Sequence, residues 1–236
     1  MKKIWLSLHI TSALVQSLFF PLLHQKIRKY LIKKWSIRLL KILKVKVVLQ
    51  GNSDVLQQQS AFLLVANHIS WLDIHVLNSI RPVTFVAKSD VSSWPIFGYI
   101  AKSLGTIFLK REKLSDIKRV IYLMNQKISS SEVVAIFPEG TSSDGRSVLP
   151  FKSNLFQAAI DAEGHVLPIR LSYKEHGAYT DRPAFIGDMS LVQSIQHILA
   201  SNHLEIELQV CAPLSGYSSR QELAKHSYNA IAASFS

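Results

Sequence analysis

Ala61-Phe62-Leu63-Leu64-Val65-Ala66-Asn67-His68-Ile69-Ser70-Trp71-Leu72-Asp73 is the stretch on which the fold turns. Its first six residues are continuously apolar and too short for a helix, so a strand buried on both faces is expected at 62–66. Asn67 to Asp73 then lead off the C-terminal end of that strand into a helix expected at 71–79. Strands buried on both faces belong to α/β sheets, and open α/β sheets place their ligands at such strand ends.

The same alternation continues outward in both directions. Strands are expected at 45–49, 84–87, 106–109, 133–137, 166–171 and 204–210. Helices are expected at 95–102, 114–127, 153–162, 191–200 and 221–233, with Pro95 in a first turn and Gly164 just past a helix end. The fold class is therefore α/β. At 236 residues with 48% hydrophobic and 18% charged content, the chain suits one core-forming domain and lies far from the composition of disordered chains. Its single cysteine, Cys211, excludes an internal disulfide and a four-cysteine zinc site and gives a small buried hydrophobe as the reading of that residue.

The net charge of +11 is unevenly placed. Residues 1–50 hold 11 of the 27 bases and no acid, while the remaining 16 bases face 16 acids. A neutral body with one basic appendage points to an anionic membrane surface and away from nucleic acid. Within the appendage, residues 4–25 carry no formal charge and approach the roughly 20 residues of a bilayer span. His9, Gln16, Pro21 and four hydroxyl residues dilute that run, so shallow insertion with a helix stopping near Pro21 competes with crossing. A removable signal peptide fits less well, because no small-residue cleavage site follows. At about 100° per residue, residues 27–44 gather Leu31, Ile32, Trp35, Leu39, Ile42 and Leu43 on one arc with Lys and Arg opposite. An interfacial helix is expected there; a basic helix packed on the core is the competing reading. The division is thus 1–44 for attachment and 45–236 for the body.

Three strand ends carry side chains able to do chemistry. A histidine at 68 with a carboxylate five residues on can form a base and its orienting partner. Ser70-x-x-Asp73 is also a capping box, which would use Asp73 for the helix terminus alone. Phe137-Pro138-Glu139-Gly140-Thr141-Ser142-Ser143-Asp144-Gly145 follows another apolar run, and such a turn can direct backbone N–H groups at an anion. Gly105 to Arg111 ends on two cations suited to phosphate or carboxylate. His75 near Asp73 raises a metal site, but no third ligand follows at a recognisable spacing.

Together these stretches resemble the glycerolipid acyltransferase family, the lysophosphatidic acid acyltransferases and their relatives. Asn67 to Asp73 is similar to the N-H-x-x-x-x-D block, Gly105 to Arg111 to the G-x-x-F-I-x-R block, Phe137 to Thr141 to the F-P-E-G-T block, and Val166 to Ile169 to the apolar-proline block that follows. The resemblance implies a mixed sheet flanked by helices behind an N-terminal two-helix membrane-binding motif. It makes His68 the general base and Asp73 its orienting carboxylate, and it places Arg111, Glu139, Gly140, Thr141, Ser142 and Lys152 in the acceptor site. Acyl transfer from acyl-carrier protein or acyl-coenzyme A to the free hydroxyl of a lysolipid is implied, without a metal or an organic cofactor. Lysophosphatidic acid is the first acceptor implied. Two positions depart from the commonest pattern of the family: Ser142, where most lysophosphatidic acid enzymes have arginine, and Asn154 in Phe151-Lys152-Ser153-Asn154, where glycine is usual. Phe137 to Thr141 with Ser143-Asp144-Gly145, followed by Pro150-Phe151-Lys152, resembles a branch that includes lyso-ornithine lipid acyltransferases. The location implied is the cytoplasmic face of a bacterial inner membrane. A membrane-attached lipid binder without turnover is the reading of a different class.

Overall fold

The computed structural model describes residues 2–57 and 61–235. Residues 1, 58–60 and 236, which the two expected segments include, lie outside the described residues. Eight strands form one mixed sheet: β1 (Lys46–Gly51), β2 (Phe62–Ala66), β3 (Thr84–Lys88), β4 (Ile107–Leu109), β5 (Val134–Ile136), β6 (His165–Glu175), β7 (Ala178–Tyr179) and β8 (Leu204–Val210). Their order is β1-β8-β6-β2-β5-β3-β4, with β7 paired antiparallel to β6. The run β6-β2-β5-β3-β4 is parallel, whereas β8 lies antiparallel to β6 and parallel to β1. The helices are α1 (Lys2–Phe19), α2 (Gln25–Leu43), α3 (Leu72–Ile80), α4 (Phe97–Ser103), α5 (Leu114–Ser129), α6 (Gln157–Asp161), α7 (Leu191–Ala200) and α8 (Arg220–Ala232).

β2 sits at the centre because both its faces are apolar. Phe62, Leu64 and Ala66 join a core with α2, α3 and α7 residues such as Leu39, Leu43, Val76 and Ile198. Leu63 and Val65 join the opposite core with Val120 and Met124 of α5 and Leu223 of α8. Every β2 residue is buried, as a continuous apolar run requires.

Three local expectations differ. Pro95 precedes α4, which starts at Phe97 after Ile96 takes φ 65° and ψ −60°. The Phe97 amide donates to the Pro95 carbonyl at 2.6 Å, closing the strained form of the γ-turn. Past α6 the left-handed residue is Glu163, with φ 49°, not Gly164. Gly164 and Glu163 donate to Ala159 and Ile160 in a Schellman pattern, and a Cβ on Gly164 would meet Ile128 Cγ2 at 3.0 Å. The 153–162 segment begins as a 3-10 turn, Asn154–Phe156.

The apolar arc of α2 is turned inward, which corrects the expectation that it faces a membrane. Leu39, Leu40 and Leu43 are buried in the core and Trp35 and Ile42 pack on it. The body offers that arc a burial site, and tertiary packing of an apolar face is what stabilises most helices in proteins. The outer side of α2 keeps Lys26, Lys33, Lys34, Arg38 and Lys41 exposed.

The helix whose apolar residues face outward is α1. It buries Leu6, His9, Ala13 and Ser17 and exposes Ile4, Trp5, Leu8, Val15, Leu18 and Phe19. It is held to α2 by two reciprocal bonds: His9 Nε2 lies 3.0 Å from the Trp35 carbonyl, and Trp35 Nε1 donates to the His9 carbonyl at 3.1 Å. Their rings stack with centroids 4.3 Å apart. Pro21 falls in a 3-10 turn, Phe20–Leu22, after the helix has ended, and Lys2–Leu22 is long and apolar enough to cross a membrane by length and composition.

Candidate active site

The C-terminal end of β2 is tied to β6 by a side chain. Asn67 Nδ2 donates to the Leu171 carbonyl at 3.0 Å, and the Leu171 amide donates to Asn67 Oδ1 at 2.7 Å. The chain then turns, and His68 faces Asp73 at the start of α3, with Nδ1 and Oδ2 2.8 Å apart. The imidazole lies flat on Phe137, centroids 4.1 Å apart. Among the described residues its Nε2 makes no hydrogen bond.

Asp73 is wholly buried and fully engaged. Its Oδ2 also accepts from the amides of Ile69 at 2.8 Å and Ser70 at 2.9 Å. Its Oδ1 accepts from the Tyr173 hydroxyl at 2.5 Å. The capping and orienting readings of Asp73 are therefore both realised, through one oxygen. Only half of the box forms, since Ser70 Oγ accepts from Leu72 rather than from the amide of Asp73. Tyr173 went unread in the sequence, standing 100 positions away near the C-terminal end of β6. Burial first, then the charge of Asp73, pushes its phenol well above the ordinary value, so it stays a donor.

The loop after β5 wraps the same strand end. The Ser143 amide donates to the His68 carbonyl at 2.8 Å. Gly145 has φ 84° and lies against Ile69, where a Cβ would approach within 2.5 Å of Cδ1, so a side chain there would strain the backbone and push Ile69 aside. Glu139 is buried beneath the loop, and neither carboxylate oxygen makes a hydrogen bond of good geometry. Burial pushes its carboxyl up to about 8, the charge of Asp73 adding to this and the amides of His68 and Leu149 and the Ser143 hydroxyl opposing it. Glu139 is thus protonated at neutral pH, a neutral group placed beside an anionic one.

Gly140, with φ 79°, is flanked by both expected cations. Arg111 Nη1 donates to its carbonyl, and a Cβ on Gly140 would meet Lys152 Nζ at 2.9 Å. The three residues line a cleft of about 740 Å³ with Phe137, Pro138 and Asn154. Thr141 is exposed, and its amide and that of Ser142 have no hydrogen-bond partner among the described residues. Ser142 is not turned into the cleft: its hydroxyl donates to the Phe185 carbonyl. At Ala87 the cleft adjoins an apolar cavity of about 920 Å³ walled by Phe85, Trp94, Phe97 and Ile100 from the body and Ile32 from α2.

The arrangement has four parts: a histidine with its distal nitrogen open, a locked carboxylate behind it, two cations beside a turn with unengaged amides, and an apolar cavity alongside. A base, an oxyanion-stabilising turn, an anion site and a chain site are the requirements of acyl transfer to a lipid hydroxyl.

A family model described as Acyltransferase matches residues 47–172. The chain is 36% identical over 196 residues to the lyso-ornithine lipid O-acyltransferase of Rhizobium meliloti (strain 1021), covering 78% of this chain and 66% of that protein. It is 30% identical over 206 residues to the lyso-ornithine lipid O-acyltransferase of Pseudomonas aeruginosa, covering 87% and 78% respectively. A 1-acyl-sn-glycerol-3-phosphate acyltransferase of Neisseria gonorrhoeae is 36% identical over 157 residues, covering 66% of this chain and 61% of that protein. The matched segment is thus just under two thirds of the length of the Rhizobium protein and about three fifths of the Neisseria protein. Among solved structures, the 1-acyl-sn-glycerophosphate (LPA) acyltransferase PlsC from Thermotoga maritima superposes with a TM-score of 0.70 at 24% identity, over 100% of this chain and 96% of that one. That likeness bears on the fold.

Proposed function

This chain belongs to the acyltransferase family, and on that premise we propose that it moves a fatty acyl group from an acyl-carrier protein or coenzyme A thioester to the free hydroxyl of a lysolipid. The observation that carries this reading is the 2.8 Å contact of His68 Nδ1 with a fully engaged Asp73, which leaves Nε2 open as the base. His68 takes the acceptor's hydroxyl proton as that oxygen attacks the thioester carbon. Asp73 orients the ring and steadies the imidazolium, and Tyr173 holds the other carboxylate oxygen. The amides of Thr141 and Ser142, unengaged within the described residues, donate to the developing oxyanion in this reading, and collapse of the tetrahedral intermediate releases the thiol. Arg111, Lys152 and Gly140 form the acceptor's anion site, Glu139 lies buried beneath the turn that carries it, outside the cleft lining, and the apolar cavity holds an acyl chain.

Phosphatidic acid formation from 1-acyl-sn-glycerol-3-phosphate is the first assignment, because two cations side by side at Gly140 suit a phosphate. A lyso-ornithine lipid is the second, favoured by the relatives named for it and by Ser142 in place of a guanidinium. Residues 1–44 form the attachment segment and 45–236 the catalytic unit. The exposed apolar side of α1 and the exposed bases of α2 dock on the anionic cytoplasmic face of a bacterial inner membrane.

Purified protein given each lysolipid with an acyl thioester, read by mass spectrometry, tests the reading. New diacyl product is expected, with the ratio of efficiencies naming the acceptor. Binding without product would identify a lipid carrier instead. Vesicle sedimentation tests the attachment, and loss of binding when anionic lipid is omitted is the expected result.

A further inference from the structure

A second basic cleft lies on the other side of the same loop. It is open to solvent, spans about 720 Å³ and is lined by Gly145, Arg146, Arg170, Tyr173, Lys174 and Phe235, among others. Two of its cations are matched: Lys174 Nζ lies 2.7 Å from Glu207 Oε1, and Arg146 Nε lies 3.8 Å from Asp144 Oδ2. Arg170 has no carboxylate partner among the described residues. Its guanidinium lies over the Phe235 ring, 5.0 Å from the centroid, and its Nε is buried with no hydrogen-bond acceptor. The charge of this guanidinium is therefore not matched by a carboxylate among the described residues, and an anion in the cleft would match it.

This cleft touches the reaction centre through two of its walls. Tyr173 bonds Asp73, and Gly145 packs on Ile69, next to His68. It shares no lining residue with the apolar cavity, and no residue of α1, α2 or α4 lines it. It therefore suits a part of a substrate that is anionic, carries no hydrocarbon chain and arrives from water. In a transfer with two substrates, the cleft at Arg111 and Lys152 is taken by the acceptor. We propose that the Arg146–Arg170–Lys174 cleft binds the phosphate of the donor's phosphopantetheine arm, with Arg170 as its anchor. This rests on the acyltransferase reading above. Acyl-carrier protein and acyl-coenzyme A share that phosphate, so either can supply it.

The test uses the full chain with Arg170→Met, which keeps an unbranched apolar stem and removes the guanidinium that lies over Phe235, and with Arg146→Gln at an exposed position as a second variant. Three donors are compared: acyl-carrier protein, acyl-coenzyme A and acyl-pantetheine, which lacks the phosphate. The ratio of kcat/KM for a phosphorylated donor to that for acyl-pantetheine should fall by about tenfold or more in Arg170→Met, the loss of one charge-assisted contact, with the KM of the acceptor unchanged. Arg146→Gln should lower the same ratio by less. The phosphorylated donor that wild type turns over names the source; where both are turned over, a fall confined to one overturns the assignment to the shared phosphate. An unchanged ratio, or a rise in acceptor KM in its place, overturns the proposal. Calorimetry with phosphopantetheine itself separates this from failure of the functional reading. If no lysolipid is acylated, binding to wild type and its loss in Arg170→Met still support the site, and absence of binding to wild type removes it.

Discussion

α1 and β2 are both rich in Leu, Ile, Val, Phe and Ala, yet they conceal opposite parts of themselves. β2 hides every residue between two layers of helices. α1 hides a stripe of His9, Ala13 and Ser17 with one Leu and presents Trp5, Leu8, Leu18 and Phe19 to the outside. Hydrophobic content alone does not say which face of an element is the inside. What decides is whether polar groups find partners within the protein, and His9 finds Trp35. One region is built for a protein interior, and the other presents to its surroundings what a core would have absorbed.

The largest expected effect separates the two regions by function. His68→Ala, at the end of β2, should lower turnover by about 10²–10⁴-fold while leaving vesicle binding intact. Asp73→Asn should be nearly as damaging, and the double variant little worse, if the pair joined at 2.8 Å works as the proposed unit. Near-normal turnover by folded His68→Ala, measured by product formation, would break the assignment of chemistry to this strand end.

Next in size is a matched pair of truncations. Leu64→Ala in β2 should cost about 2–5 kcal/mol in denaturant unfolding. Leu8→Ala in α1 should stay within about 0.5 kcal/mol and weaken vesicle binding instead. Equal stability losses would show that α1 is covered by protein after all.

Glu139 sharpens the contrast from another side, as a polar group inside without good partners. Its carboxyl is pushed up to about 8, against about 4.3 in an unfolded chain. Between these values the folded protein keeps a proton that the unfolded chain releases, so this group makes stability fall as pH rises through the window. Glu139→Gln should match wild type near about pH 4 and exceed it by about a few kcal/mol near pH 8. A difference flat across that range, followed by chemical denaturation, would show that the carboxyl is ionised in the fold.

The smallest effect expected is at Ser142. Because its hydroxyl is already committed to the Phe185 carbonyl, Ser142→Ala should change the ratio of acceptor efficiencies by less than about threefold, whereas Ser142→Arg should shift it toward lysophosphatidic acid by roughly tenfold. An unchanged ratio in Ser142→Arg would mean that residue 142 does not read the headgroup.

Legibility in the sequence followed how local each cause is. β2, β6 and β8 were readable because their apolar runs need no outside information. The facing of His68 and Asp73 was readable because five residues separate them. Tyr173 was not, since its use depends on β6 lying beside β2. α4 was misplaced at its start because Ile96, a β-branched residue, occupies a positive φ that only its surroundings can impose. The two-residue β7 and the left-handed Glu163 carry no composition that would reveal them. The arc of α2 was seen correctly as an arc, but whether lipid or protein covers it is decided by α3, which periodicity cannot show. The cleft at Arg170 was invisible for a similar reason, as its cations come from two distant segments.

Asn67 gives the sheet a means of keeping time after one of its strands has stopped. By exchanging two hydrogen bonds with Leu171, its amide side chain stands in for a backbone unit that β2 no longer supplies. The chain is free to bend toward α3 at residue 68 while β6 continues in phase for two more positions. At the second of those, Tyr173 arrives opposite Asp73. The side-chain amide thus works as a gauge block between two strands: it transfers the register of the sheet to the carboxylate behind the histidine, so that alignment set in the core governs where a proton can be held at the surface.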